Sequence, residues 1–479
     1  MIKTAGFVVE GVTMSNLESM KRMFAPRSIA VIGASQEPGK VGYSVVKNIQ
    51  DGGYKGKIYP INPRASDVLG FKCYRSVKEI PDVVDVAIFC IPAAIVPTVM
   101  AECGEKGVGV AVIITSGFAD VGNLDLQRQT VEIARKYGTR IVGPNIFGYY
   151  YTPSDLCATF CIPYTLKGKI ALTCQSGGVG MAIIGFTRSR KVGVSAIIGF
   201  GNKADVDEDD VLEFFAQDPN TKVIAMHMED VKDGRKLLET ASKITKIKPV
   251  VAMKTGRTAR GALAAASHTG AIAGVDAVYE AAFKQSGIIR ARTLEELLEW
   301  ARALEMLPPP KGENTLILTG AGGLGVILTD ACTDQGLQLM TMPPDLEEKF
   351  RKWVPPFGAF KNPVDITGSS PPEAYLETIR IALKDPRVDA VIFGYWHTII
   401  TTPIQFANAV VQAMEEAKKE GIQKPMVAAL AGDVEVEEAA RFLEERGIPS
   451  YPYAPDKAVS ALAAAYKWAR SAGLVERKQ

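Results

Sequence analysis

The run Ile29-Ala-Val-Ile-Gly33 is apolar, short and stopped by glycine, and it gives way to Ala34-Ser-Gln-Glu-Pro-Gly-Lys-Val-Gly42 and a helix-forming stretch through Ile49. A brief apolar run closed by a turn residue, with a helix directly after it, reads as a buried strand opening a β-α unit. The pattern recurs outward in Gly56-Lys-Ile-Tyr-Pro-Ile-Asn62-Pro63, Val84-Asp-Val-Ala-Ile-Phe-Cys-Ile-Pro92, Gly109-Val-Ala-Val-Ile-Ile-Thr-Ser-Gly117 and Arg140-Ile-Val-Gly-Pro-Asn145, with room for a helix between each pair. Strands that are apolar throughout and alternate with helices imply a parallel sheet covered on both faces, a Rossmann-like α/β domain whose ligand lies across the carboxyl ends of its strands.

Beyond a loop at 151–164, four more runs read as strands: Lys169–Cys174, Gly193–Ile198, Thr221–Glu229 and Pro249–Met253. A stiff Pro-rich linker, Leu307–Asn314, precedes a third set: Thr315–Gly320, Leu337–Thr341, the stretch from Asn362, Val388–Tyr395, Pro425–Leu430 and Ile448–Tyr453. Leu172-Thr-Cys-Gln-Ser-Gly-Gly-Val-Gly180 is echoed, one residue shorter, by Leu318-Thr-Gly-Ala-Gly-Gly-Leu-Gly325, so the second and third domains read as duplicates of one flavodoxin-like fold. The expected division is an N-terminal extension over 1–22, a first domain over 23–152, a second over 153–306, the linker over 307–314 and a third domain over 315–479. Met14 is a second candidate start.

The 479 residues exceed what one core fills, and 55 basic against 53 acidic side chains give no reason to expect a nucleic-acid or membrane partner. Seven cysteines form no CxxC pair and no signal peptide precedes them, which reads as reduced thiols in a cytoplasmic protein. Apolar stretches break well short of the ~18 residues a membrane span needs.

Several residues stand out chemically. The loop Gly33–Gly42 is neither a P-loop nor GxGxxG, yet it offers backbone N–H groups and Lys40 to a phosphate at a helix start. Gln175-Ser176-Gly177-Gly178 opens a second helix with unpaired amides and a hydroxyl, another anion site in form, although a glycine turn ahead of a packed helix has the same spelling. Glu229 ends its strand where such sheets open onto a site; Asp230 is the rival carboxylate, and His227 reads as a packed strand residue. Gly320–Gly325 fits GxGxxG, but the following segment lacks the acidic residue a ribose would want. His268, one of three histidines, sits among Ala, Ser, Thr and Gly, with Lys254, Arg257 and Arg260 on its flank. A loop histidine bonded to backbone and a nucleophile that passes a group on are both compatible with that setting.

The segment Ser267-His268-Thr269-Gly270 after its Ala-rich run resembles the phosphohistidine loop of the NDP-forming acyl-CoA synthetases, in particular the ADP-forming acetyl-CoA synthetase branch. Ala30–Ser35, Pro38–Gly42, Tyr59–Pro63, Ile91-Pro92, Ser116–Phe118 and Gly143–Asn145 are similar to that family's CoA-binding domain. The resemblance implies CoA contacts at Gly33, Ser35, Lys40, Val41, Asn62, Pro63, Ile91, Pro92, Ser116 and Asn145, phosphate held by Gln175, Ser176, Gly177 and Gly178, and Glu229 orienting His268 as transient phosphate carrier. It implies coenzyme A or acyl-CoA and phosphate as ligands and no metal site in this chain. ADP/ATP with Mg2+ would lie on a separate ATP-grasp β subunit, in an α2β2 assembly, because no segment here builds such a module. The chain would be the α subunit of an enzyme that converts acyl-CoA, phosphate and ADP reversibly to acid, CoA and ATP. Two other readings are a non-catalytic CoA or acyl-CoA sensor and, resting on glycine turns alone, a nicotinamide oxidoreductase.

Overall fold

In the computed structural model, which describes residues 16–163, 166–263 and 275–475, the strand Ser28–Ile32 lies second in a five-stranded parallel sheet. Its order is Lys57–Ile61, Ser28–Ile32, Val86–Phe89, Val110–Ile113, Arg140–Val142, and Ile29 pairs with Ile58 on one side and Val86 on the other. Every residue of Ser28–Ile32, Val86–Phe89 and Val110–Ile113 is buried, as expected of strands covered on both faces.

The second sheet runs Ile289–Ala291, Val250–Lys254, Val223–Met228, Lys167–Cys174, Val194–Gly199, and the third runs Val364–Asp365, Thr315–Thr319, Ala390–Trp396, Met426–Ala431, Ser450–Pro452. In all three the first parallel strand in sequence lies between the second and the third, the flavodoxin-type order, so each sheet has a crevice at the carboxyl ends where its chain reverses direction. The echo between the two glycine loops therefore has a structural counterpart: each follows the first parallel strand of its sheet and opens a helix, Gly177–Ser189 or Gly322–Asp334.

The described residues form two units, one within Met1–Ile244 and Val250–Leu297, the other within Thr245–Pro249 and Leu298–Gln479. The first holds the first two sheets. In the second unit the linker residue Glu313 is pinned by the Arg470 guanidinium, Nε to Oε1 at 2.8 Å.

The structure departs from the sequence reading in several places, one being the edge strand Ile289–Ala291 of the second sheet, which was not expected. Residues 151–164 were expected as a loop between domains, but Gly148–Tyr151 and Leu156–Thr159 form an antiparallel hairpin that extends the second sheet beside Val194–Gly199. The chain thus enters the second sheet inside the span 23–152 assigned to the first domain. Residues 16–22 of the expected extension belong to a packed helix, Asn16–Phe24, whose Met20, Met23 and Phe24 are fully buried. Phe24 stacks on Phe214 at 4.4 Å, and the Tyr149 hydroxyl donates to the Met23 carbonyl at 2.8 Å. The expected strand Leu337–Thr341 is reduced to a single bridge from Leu339 to Thr315.

All seven cysteines are free thiols, and among the described residues no helix is long and apolar enough to cross a membrane.

Candidate functional site

The first sheet's crevice holds a cavity of about 690 Å3. Seven of the ten expected CoA contacts line it: Gly33, Ser35, Lys40, Val41, Asn62, Pro63 and Ile91. The loop is glycine-rich because backbones touch there. A Cβ at Gly42 would come within 2.0 Å of the Gly33 carbonyl oxygen, and Gly33 itself has φ +87°. That approach lays the start of helix Val41–Asp51 across the strand end. Asn62 is fixed by its own amide, which donates to the Ala34 carbonyl at 2.8 Å and accepts from Arg64 N at 2.9 Å. Pro92, Ser116 and Asn145 are not in this lining. They follow the carboxyl ends of the third, fourth and fifth strands, with Asn145 at φ +64° and its N–H on the Thr115 carbonyl at 2.9 Å. Arg64 and Arg75, which the sequence reading passed over, add cations to the wall and Glu102 an anion. The Asn62-Pro63-Arg64 spelling held the signal for one of them. A cavity of this size with Lys40, Arg64 and Arg75 on its rim suits a long anionic nucleotide-like ligand.

The second sheet gathers the other expected residues. Ser176 caps the helix Gly177–Ser189, its hydroxyl accepting from Val179 N, while Gly177 and Gly178 are exposed and a Cβ on either would meet no neighbour. The helix start is therefore open to an anion. Gln175 behaves differently. Its side chain is buried, its Oε1 accepts from Glu229 N at 2.7 Å and Asp230 N at 3.1 Å, and its Nε2 donates to Asp230 Oδ1 at 2.6 Å. The amide expected on phosphate is thus committed to the Glu229-Asp230 turn, and it sets Glu229 beside the helix start.

His227 is 1 % exposed, between the Cys174 thiol at 3.5 Å from Nδ1 and the Thr255 hydroxyl at 3.3 Å from Nε2. Burial, helped by the Lys254 charge, pushes its pKa down to about 4, so it is neutral near pH 7. The unfolded chain binds that proton below an ordinary value of 6.5 and the folded chain does not, so stability present above pH 6.5 is lost on acidification toward pH 4. That loss is expected to reach about 3 kcal/mol. His227→Gln should flatten this part of the acid limb, read as urea midpoints between pH 4 and pH 7.

Lys254 is buried at the end of its strand, with Nζ on the Thr255 carbonyl and 4.8 Å from the Tyr279 ring centroid; burial lowers its pKa. Arg257 and Arg260 are exposed. His268 lies outside the described residues. In the third domain His397 Nδ1 meets Asp433 Oδ1 at 2.9 Å with Glu435 alongside.

Three stretches match family models: residues 27–151 the CoA binding domain, 167–304 the succinyl-CoA ligase like flavodoxin domain, and 315–476 the Ligase-CoA domain. The chain is 48% identical to the acetate–CoA ligase [ADP-forming] I subunit alpha of Pyrococcus furiosus, over 94% of this chain and 98% of that one. It is 40% identical to the acetate–CoA ligase [ADP-forming] of Methanocaldococcus jannaschii, covering 94% of this chain but 63% of that longer one. Among solved structures, the dinucleotide forming acetyl-coenzyme A synthetase 1 of Ca. Korarchaeum cryptofilum, in complex with phosphate and ADP, superposes with TM-score 0.92 at 45% identity, over 95% of this chain and 98% of that one. Fold and matches together define a CoA ligase built on one CoA-binding and two flavodoxin-like domains. The chain belongs to the family of ADP-forming acetate–CoA ligases, in its α-subunit form, which implies a partner subunit.

Proposed function

We propose that this chain binds acyl-CoA, cleaves the thioester with phosphate and takes the phosphoryl group onto His268, for delivery to ADP on an ATP-grasp β subunit in a cytoplasmic α2β2 complex. The observation that carries this reading is the Gln175 bracket, which sets the Glu229 N–H 2.7 Å from Gln175 Oε1, one residue before an open helix N-terminus. The backbone that bears the Glu229 carboxylate is thereby tied to the residue preceding the cap of that helix, which supports a site where a carboxylate and a phosphate serve one imidazole.

Phosphate, held by the helix amides and Ser176, attacks the acyl carbonyl; the C–S bond breaks, CoA leaves as the thiol and an acyl phosphate remains. The free imidazole nitrogen of His268 then attacks phosphorus, and the P–O bond to the acyl group breaks to release the acid. Glu229 accepts a hydrogen bond from the other ring nitrogen, which fixes the tautomer and stabilises the charge that develops on the ring. Asp230 is the weaker candidate, since its Oδ1 already receives Gln175 Nε2 and lies 3.3 Å from Lys203 Nζ. Such transfer is largely positioning and charge neutralisation, work suited to amides, a hydroxyl and Lys254. Mg-nucleotide on the partner supplies the acceptor. The acyl group is a short-chain or aryl acid.

Acetyl-CoA with radiolabelled phosphate, with and without the partner chain, tests this. Acid-labile, base-stable label on the chain supports the enzyme; CoA binding with no label under any partner condition favours a sensor instead. The CoA cavity has its own test. Gly42→Val places methyl groups where the Gly33 backbone lies, and calorimetric titration with CoA should show affinity reduced by about tenfold or more, as expected for a binding surface whose backbones are forced apart.

A further inference from the structure

The roles assigned so far leave out a fully buried cation. The Lys203 side chain is 0% exposed, and its Nζ lies 2.6 Å from Glu208 Oε2, 2.7 Å from Asp207 Oδ1, 3.3 Å from Asp230 Oδ1 and 3.0 Å from the Asp230 carbonyl oxygen. Desolvating one ammonium and three carboxylates is costly, and apolar side chains of equal volume usually hold a fold together as well or better. A buried charge cluster of this kind points to a requirement for placement.

Both ends of the cluster are fixed. On one side the Lys203 segment is fastened to the carboxyl edge of the first sheet: Asn202 N donates to the Pro144 carbonyl at 3.0 Å and Ala204 N to the Gly143 carbonyl at 2.8 Å. Asn202 Nδ2 donates to Asp120 Oδ1 at 3.0 Å and to Gln127 Oε1 at 3.1 Å, while the Asp120 carboxylate accepts from Gly117 N and Phe118 N, each at 2.9 Å. Lys203 has φ +49°, so the backbone bends sharply to aim this side chain inward. On the other side Lys203 holds the carboxylate and carbonyl of Asp230, and Gln175 holds the N–H groups of Glu229 and Asp230. The Glu229-Asp230 turn is clamped from two directions.

We propose that Lys203 is a positioning residue that sets the Glu229 carboxylate relative to the CoA-binding edge, so that the thioester, the phosphate and the histidine acceptor share one geometry. The proposal rests on the role given to Glu229 above. Lys203 touches no reactant; it acts through Asp230 and the turn. Gln175 alone would leave the turn held on one side, and a reacting group displaced by about an ångström loses on the order of 100-fold in rate.

The test pairs Lys203→Met with Glu208→Gln, so that removing the cation does not leave a full complement of buried carboxylates. On the full chain with its partner subunit, the double variant should label from acetyl-CoA and radioactive phosphate about 100-fold more slowly, with KM for acetyl-CoA and Kd for CoA changed by less than about twofold. A lysine that served only the fold would move stability and leave that rate alone. Asn202→Ala, which cuts the side-chain tie to Asp120 and Gln127 without unpairing a charge, should slow labelling about tenfold with the same unchanged Kd, and it decides the question if the double variant does not fold. Native labelling rates in the folded double variant, or in Asn202→Ala should the double variant fail, overturn the proposal. If Glu229→Gln slows labelling while these variants do not, only the proposal for Lys203 falls; if the native complex takes no label, the role of Glu229 falls with it.

Discussion

His268→Asn is expected to abolish acid-labile labelling of the chain and net turnover in either direction, while CoA binding stays within about twofold of native. Asparagine keeps a hydrogen-bonding side chain of similar reach but has no nitrogen lone pair able to attack phosphorus. When a covalent carrier is removed, no neighbouring group inherits its step, and losses on the order of 10^4-fold or more are usual. The second-sheet strand ends at Lys254, residues 259–263 are helical and the helix Asp276–Ser286 follows; in chain order His268 falls between those two helical stretches. Filter-bound radiolabel after base treatment, with an acid-washed duplicate, is the measurement. Full labelling of the asparagine variant would place the phosphate on another residue.

Glu229→Gln should slow phosphorylation by about 10^2- to 10^4-fold, the range seen when the carboxylate behind a catalytic imidazole becomes an amide. The amide is isosteric, and the backbone N–H of residue 229 would still reach Gln175 Oε1, so the fold and CoA affinity should be preserved. On the proposed role, what is lost is the negative charge that fixes the tautomer and balances the ring during transfer. The contrast is Asp230→Asn, whose native carboxylate faces Gln175 and Lys203. It should act on the clamp and cost less. If Asp230→Asn proves the more damaging of the two in rapid-quench measurements, the two carboxylates exchange roles.

Most parallel strands were legible because each is an apolar run ended by glycine, proline or a polar turn residue; Ile289–Ala291, three residues long with Arg290 at its centre, was not. The hairpin was missed for a related reason. Gly148-Tyr-Tyr-Tyr151 and Leu156–Thr159 are strand-formers around a Thr-Pro-Ser-Asp turn, but they lie in a chain otherwise built from β-α units, and the prior for another crossover outweighed the local signal. Ser176, Gly177 and Gly178 could be placed from spelling alone, since a helix N-terminus is a local object. Gln175 could not. Its partners are 54 and 55 residues away, and a glutamine that satisfies two successive amides looks in sequence like one that contacts a ligand. Lys203 was hidden more deeply: Asp205 to Asp210 holds five acidic residues in six, with no period to reveal that Asp207, Glu208, Asp209 and Asp210 are all buried.

The hairpin also constrains how the molecule can be taken apart. A protein engineer who excises the N-terminal cofactor module at residue 152 carries away Tyr149, Tyr150 and Tyr151, all 5 % exposed or less, together with a strand whose partner, Val194–Gly199, has stayed behind. The donor fragment would display an unsatisfied edge and the recipient would lose its flank. A cut just after Val142 leaves the tyrosines with their sheet but gives up Asn145, whose N–H closes on the Thr115 carbonyl at the carboxyl edge of the first sheet, so neither cut parts the two sheets without loss.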